Sequence, residues 1–311
     1  MVMALRRAEE VSQAAQIACL LEVSAAKPGN VNRFHDFSDT RYEDFLVAAV
    51  AIGRAMREAK VLSVGSIVLK AIQDTRRYVP SNTNLGIVLL FAPLAKAALG
   101  NGKLREELHA VLSALTVQDA RKVYQAIRLA NPGGLGEVEE YDVREKKVTV
   151  TLLEAMKMAA GRDAVSREYA TDFEITFSIG FPALKASIEA SGDLEGSIIQ
   201  TYLTILSEVP DTLIARKNGE EVARRISDQA REILKVGGAF SEAGRAELEM
   251  WDRELRKEGI GGCAAIRGWW SRCRAAEGNR FNPGTTADLV AASIFVTILE
   301  EGLIFSFSPR G

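Results

Sequence analysis

The sequence predicts an all-α protein, a single multi-helix globular domain over residues 1–311 whose helix-end loops form one cleft. Three observations carry that expectation. Apolar residues recur at spacings of three and four in run after run. The runs are separated by short turns rich in Gly, Pro, Asn and Asp. No repeat of fixed period and no low-complexity linker marks a domain boundary. At 311 residues and 47% hydrophobic, the chain can bury a large core.

Taken in order, residues 8–24 carry apolar positions around more than one face, with 17–23 interrupted only by Glu22, and read as a buried helix. Residues 41–59 place Phe45, Ala49, Ile52 and Met56 on one helical stripe. The same periodicity predicts helices over 62–78, 84–99, 104–115, 118–129, 151–160, 173–190, 194–207, 220–234, 241–257 and 285–305. Pro93 and Pro182 fall inside two of these and predict a kink or a break, because proline lacks the N–H that the helix needs. The one candidate for extended structure is 146–150, after a Gly-rich and acidic loop over 131–145.

Charge and composition exclude several function classes. With 39 basic and 41 acidic residues the net charge is -2, which gives no bulk electrostatic case for nucleic acid or an anionic membrane. Three cysteines, Cys19, Cys263 and Cys273, form neither an even disulfide set nor a close metal-binding pair. With no secretory signal at the N-terminus, they predict a reduced, cytoplasmic setting. The apolar stretch 289–299 is stopped by Glu300 and Glu301, too short to span a bilayer. The two histidines, His35 and His109, are too few for a zinc site of the usual kind, and no G-x-S-x-G elbow accompanies them. Carboxylates, Lys and Arg are left to do the chemistry, a combination that suits Mg²⁺ and phosphate.

Five polar clusters lie against apolar helical runs: Lys27-Pro28-Gly29-Asn30, Asn82-Thr83-Asn84, Arg162-Asp163, Asp211 with Thr212, Arg216 and Lys217, and Asn282-Pro283-Gly284 with Thr285, Thr286 and Asp288. Glu22, inside a hydrophobic helix, needs a partner, either in a structural ion pair or in a functional role. Lys27 and Arg33 could clamp a phosphate where Pro28 ends the first helix, although a basic residue at a helix C-terminus explains Lys27 equally. Capping accounts for one of Asn82, Thr83 and Asn84, leaving hydroxyls and amides for phosphate or ribose. Thr285-x-x-Asp288 has the form of a capping box. Asp211-Thr212 is a good cap as well, and one helical turn brings Thr212 and Arg216 together.

E-V-S-x-x-K-P-G from Glu22, N-T-N-x-G from Asn82, D-T-L-I-A-R-K-x-G from Asp211 and N-P-G-T-T-A-D-L from Asn282 resemble, in order and content, the ATP:dephospho-CoA triphosphoribosyltransferase family. The middle of the chain is similar to an archaeal and methylotroph branch of it. There the matching stretches are N-P-G-G-L-G from Asn131, Asp142-Val143-Arg144, V-T-L-L-E-A-M from Val150, and A-A-G-R-D-A-V-S-R-E-Y-A-T-D-F from Ala159. The resemblance spans almost the whole chain.

It implies an all-α enzyme that moves the 5-triphosphoribosyl group of ATP onto a ribose hydroxyl of dephospho-CoA and releases adenine, with Mg²⁺ and basic residues holding the triphosphate. Glu22, Asp163 and Asp211 then become candidate catalytic carboxylates, and Asp211 and Asp288 candidate metal ligands. Lys27, Arg162, Arg216 and Lys217 become candidate phosphate contacts, with Asn30, Asn82, Thr83, Asn84, Thr212, Asn282, Gly284 and Thr285 in the rest of the nucleotide site. Citrate-lyase-associated members of the family carry N-T-H-K-G where this chain has Asn82-Thr83-Asn84-Leu85-Gly86, so a histidine and a lysine are missing. Two alternatives follow: an enzyme acting on a phosphorylated or ribosylated intermediate of a tetrahydromethanopterin-type coenzyme, and a nucleotide- or coenzyme-binding protein without turnover. The partners expected are small molecules, with no nucleic acid and no membrane. Trp269-Trp270, near Arg267, Arg272 and Arg274, could stack on adenine or make cation–π contacts, but core packing or an oligomer interface is expected, and the apolar ending 303–307 suggests docking or a dimer contact.

Overall fold

Helix follows helix along the chain in the computed structural model, which describes residues 7–131, 148–256 and 280–302. Among those residues there is no strand, and the one extended pairing is an isolated bridge between Asn32 and His35. The first half comprises α1 (Ala8–Ser24), α2 (Tyr42–Ala51), α3 (Gly53–Arg57), α4 (Val64–Arg76), α5 (Leu85–Ala98), α6 (Leu104–Ser113) and α7 (Val117–Ala130). The second half adds α8 (Leu152–Ala159), α9 (Ala164–Ala170), a π-helical turn Thr176–Gly180, α10 (Phe181–Ser191), α11 (Leu194–Glu208), α12 (Thr212–Asn218), α13 (Glu220–Lys235), a 3₁₀ turn Gly238–Phe240, α14 (Glu242–Arg256) and α15 (Gly284–Glu301). The loop 131–145, Trp269-Trp270, Cys263, Cys273 and the ending 303–307 lie wholly or almost wholly outside the described residues.

α15 is the central strut. Its side chains from Leu289 to Leu299 are all buried, as expected of a helix apolar on every face. It packs against α1, α5, α11 and the π-helical turn, so one contiguous core runs from Val11 to Leu299. This arrangement sets the N-terminus of α15 beside those of α12 and α5.

Several local expectations change, each for a visible reason. The stripe over 41–59 is interrupted at Ile52, where α1 crosses closely: Ser12 donates to the Gly53 carbonyl at 2.7 Å and Gln16 to that of Val50 at 3.0 Å. Pro93 does not break α5. Its ring leaves the Leu89 carbonyl without an intrahelical N–H, and the Tyr169 hydroxyl donates to that carbonyl at 2.6 Å instead. The helix expected over 173–190 begins as the π-helical turn, and Pro182 falls in the first turn of α10, where a missing N–H costs little. Of 146–150, the described residues 148–150 are irregular rather than extended. α9, which periodicity does not announce, is a seven-residue helix capped by Asp163.

Candidate functional site

Four of the five polar clusters touch one another, and the helix that follows the fifth reaches Asp288 through Gly86. Asp211 caps α12, accepting from the backbone N–H of Leu213 at 2.9 Å and of Ile214 at 3.0 Å. Its other oxygen accepts from Thr286, backbone N–H at 2.7 Å and hydroxyl at 2.8 Å, so one carboxylate caps two helices. The Thr285-x-x-Asp288 box expected from the sequence therefore does not form. Pro283 at the N-cap of α15 has no side-chain cap, and a carboxylate from α12 does that work. Thr212 accepts from the backbone N–H of Ala164 at 3.2 Å and donates to the Thr285 hydroxyl at 3.2 Å, tying α9, α12 and α15 together.

Asp163 caps α9 through Ser166 N–H at 2.8 Å, and one turn along α12 Arg216 reaches its other oxygen at 2.7 Å. This is the pairing of Thr212 and Arg216 on one helix face that their spacing predicts, with the start of α9 as its target. Arg162 beside it is exposed. Lys217 is partly buried, and that burial pulls its pKa down against the fields of Asp39 and Asp211.

On the α1 side, Lys27 is fully buried. Its ammonium forms an ion pair with Glu22 at 2.9 Å and donates to the Glu22 and Ala25 carbonyls. Burial raises the Glu22 pKa while Lys27 opposes the rise. The phosphate clamp expected of Lys27 and Arg33 is thus corrected: Lys27 is spent on Glu22, and Arg33 pairs with Glu195 of α11. The loop after α1 is pinned by residues that sequence reasoning missed. Asp252 accepts from Gly29 N–H at 2.8 Å, Arg256 donates to the Asn30 carbonyl, and the Tyr202 hydroxyl donates to the Pro28 carbonyl at 2.7 Å. Gly29 sits at φ +74° against Leu255 and Pro283, a position that only glycine fills easily. Asn30 donates to the Asn282 side chain at 2.5 Å, and its own buried Oδ1 has no partner. Gly284 packs on Leu213.

At the start of α5, Asn82 is exposed and accepts from Leu85 N–H at 3.2 Å. Thr83 is buried with its hydroxyl unpaired. Asn84 faces inward, donating to the Thr75 hydroxyl at 3.1 Å, and Leu85 is in the core, so neither is presented as a ligand contact. Gly86 lies directly beneath Asp288: a Cβ there would come within 1.9 Å of Asp288 Oδ2.

Asp288 is the focus of the cluster. It is only partly exposed, and that enclosure raises its pKa well above the ordinary range. The negative fields of Glu22, Asp211 and Asp163 push the same way, while Arg216 pulls it down. Unlike Asp211, it accepts no hydrogen bond from any described residue. The metal role expected of Asp211 is corrected on the same grounds, because its buried oxygens are filled by four donors. Among the described residues, no three His, Cys, Asp or Glu side chains converge tightly enough to hold a metal alone.

The all-α scaffold thus brings helix N-termini, several carboxylates and Arg216 into one neighbourhood around Asp288. Comparison with known proteins makes this specific. Residues 8–267 match the model of the ATP:dephospho-CoA triphosphoribosyl transferase family, and the chain belongs to that family. It is 27% identical over 120 residues to a protein of Malonomonas rubra named "Probable 2-(5''-triphosphoribosyl)-3'-dephosphocoenzyme-A synthase", covering 39% of this chain and 31% of that one. It is 30% identical over 124 residues to a protein of the same name from Stutzerimonas stutzeri, covering 40% and 36%. The chain thus aligns with about a third of the length of these curated relatives. A crystal structure from Archaeoglobus fulgidus, titled "putative triphosphoribosyl-dephospho-coA synthase", superimposes with a TM-score of 0.58 at 25% identity. It covers 82% of this chain and 98% of that one. No helix among the described residues is long and apolar enough to cross a membrane.

Proposed function

We propose that the protein transfers the 5-triphosphoribosyl group of ATP to a ribose hydroxyl of dephospho-CoA and releases adenine. The observation that carries this reading is Asp288, an unpaired carboxylate of raised pKa over Gly86, with three other carboxylates and Arg216 around it. In the reaction, the bond from ribose C1′ to adenine N9 breaks with its electron pair going to N9. A bond from the acceptor oxygen to C1′ forms, the hydroxyl loses its proton, and adenine gains one. Asp288, in its ionised form and with no hydrogen-bond donor on it, takes the hydroxyl proton. The negative field of Glu22, Asp163 and Asp211 favours the positive charge that builds on the sugar in an oxocarbenium-like transition state.

Arg162, Arg216 and Lys217 supply charge for the triphosphate, while Asn82, Thr83, Asn30 and Asn282 supply hydrogen bonds for sugar hydroxyls. An Mg²⁺ carried by the triphosphate, rather than caged by protein ligands, would leave Asp288 free to act as the base. When bound, that ion neutralises phosphate charge. The single-domain extent over 1–311, a cytoplasmic setting and a homodimer complete the reading.

The inward-facing Asn84 and Leu85 leave the start of α5 without a cation. That observation favours, as a second reading, an acceptor other than dephospho-CoA, such as a phosphorylated or ribosylated intermediate of a pterin-type coenzyme. The test is adenine release from ATP and Mg²⁺ by purified protein with dephospho-CoA, with pterin intermediates, and with no acceptor. Release that depends on dephospho-CoA supports the first reading, and release that depends on a pterin intermediate supports the second. Binding of ATP without release under any condition replaces both with a binding protein.

A further inference from the structure

We propose that a groove of about 580 Å³ between α2 and the C-terminal end of α4 binds an adenine nucleotide. The inference rests on the reaction proposed above only in naming that nucleotide as part of one of its two adenine-bearing substrates. A groove of this volume is within the range of small-molecule sites. Its walls include Val47, Val50 and Tyr78, which are 41%, 63% and 69% exposed and so present apolar faces to solvent on neighbouring turns.

Asp74, at 8% exposure, lies against these apolar walls as part of the groove lining. Its Oδ1 is 3.4 Å from an Arg77 nitrogen, but its buried Oδ2 has no hydrogen-bond partner. An unpaired buried carboxylate oxygen is costly and calls for a donor. The terminal torsion of an aspartate is broad, so that oxygen can turn toward the groove at little cost. Arg77 and Arg54, both mostly exposed, also line the groove.

The ligand that answers this set has a flat apolar body for the valines and the Tyr78 ring, an N–H donor for Asp74, and an anion for the guanidinium groups. Adenine with its exocyclic amine and a 5′-phosphate has all three. A buried hydrogen bond also ties the groove's helix to the start of α5. Thr75, next to Asp74, accepts from Asn84, and two residues further on Gly86 lies under Asp288. In the intervening chain the hydroxyls of Ser81 and Thr83 are buried and unpaired.

The experiment is calorimetric titration of the full chain with AMP and with inosine 5′-monophosphate, for the wild type, Val50→Trp and Tyr78→Ala. Both positions are exposed, so folding is preserved. AMP binding is expected, weakened at least tenfold by Val50→Trp. Inosine monophosphate, which offers Asp74 a carbonyl in place of an amine, is expected to bind at least tenfold more weakly than AMP. Absence of AMP binding, equal affinity for the two nucleotides, or unchanged binding in both variants overturns the proposal. In steady state, the KM for either ATP or dephospho-CoA should rise in Tyr78→Ala, identifying which substrate brings the base; no rise in either also overturns it. If adenine release fails with every acceptor, the reaction is refuted, while the AMP and inosine titrations still judge the groove.

Discussion

Asp211 and Asp288 are both acidic, both perturbed upward by enclosure, and both placed where α12 and α15 begin, yet they are built into the protein in opposite ways. Asp211 is 1% exposed and receives four hydrogen bonds from two helix N-termini. Asp288 is partly exposed, receives none, and faces the fields of three other carboxylates. The difference teaches that burial alone does not mark a reacting carboxylate. A fully answered carboxylate holds structure, and an unanswered one among like charges is the one for which we propose a ligand.

Exchanging each carboxylate is the sharpest way to break that contrast. Asp288→Asn should lower the rate of adenine release by about 10² to 10⁴, the usual contribution of a positioned acid or base, with an unchanged or slightly raised melting temperature. Loss of stability with retained activity would falsify its assignment. Asp211→Ala should do the reverse. It strips a cap and leaves buried N–H groups of α12 and α15 without an acceptor, for a loss of about 3–5 kcal/mol in urea denaturation.

That contrast also measures what the sequence could show. The helical class was legible because α1, α5 and α15 carry apolar residues on nearly every face, and the polar clusters stood out against them. Their convergence is a tertiary fact that spacing could not supply. Thr285-x-x-Asp288 satisfied the local rule for a capping box, but the nearer acceptor came from Asp211, remote in sequence. Lys27 looked like a phosphate ligand for the same reason: nothing local shows that Glu22 claims its charge. Asp252 and Arg256, which pin the loop at Gly29 and Asn30, sit among the many charges of α14 and carry no distinguishing pattern. Glu168 gave no signal either, since it follows Arg167 and lies among Asp163, Asp172 and Glu174.

Glu168 sharpens the comparison from a third position. It is fully buried, and it accepts from Ile175 N–H at 2.8 Å and Thr176 N–H at 3.0 Å, holding the turn where Asp172 and Phe173 adopt positive φ. Burial pushes its pKa up to about 7 from 4.5 despite those bonds. For a raised folded-state value, the stabilising contribution is full below pH 4.5 and is lost as pH rises to about 7. That rise corresponds to about 3.5 kcal/mol. Unfolding free energy measured from pH 4.5 to 8 should therefore fall by a part of that amount that Glu168→Gln abolishes. An identical pH slope in the variant would show that Glu168 does not change its protonation over that range and that its role is to hold its two N–H donors.

The smallest effect on stability is expected at Arg216. Its pair with Asp163 is 2.7 Å long, but the side chains are 37% and 19% exposed, so solvent screens the attraction. Arg216→Ala should cost only about 0.2–1 kcal/mol of stability, as exposed pairs do. Its effect on function should be larger than its effect on folding. A guanidinium that lends one arm to a helix cap and keeps others for phosphate should, when removed, raise the KM for ATP about tenfold or more, since a hydrogen bond to a charged group contributes about 1.5–3 kcal/mol. The rate at saturating ATP should change much less than in Asp288→Asn, because Arg216 would hold the nucleotide equally before and during the reaction. A fall in that rate with KM unchanged would instead mean that Arg216 acts on the charge of Asp288, and the two residues would then have to be treated as one unit.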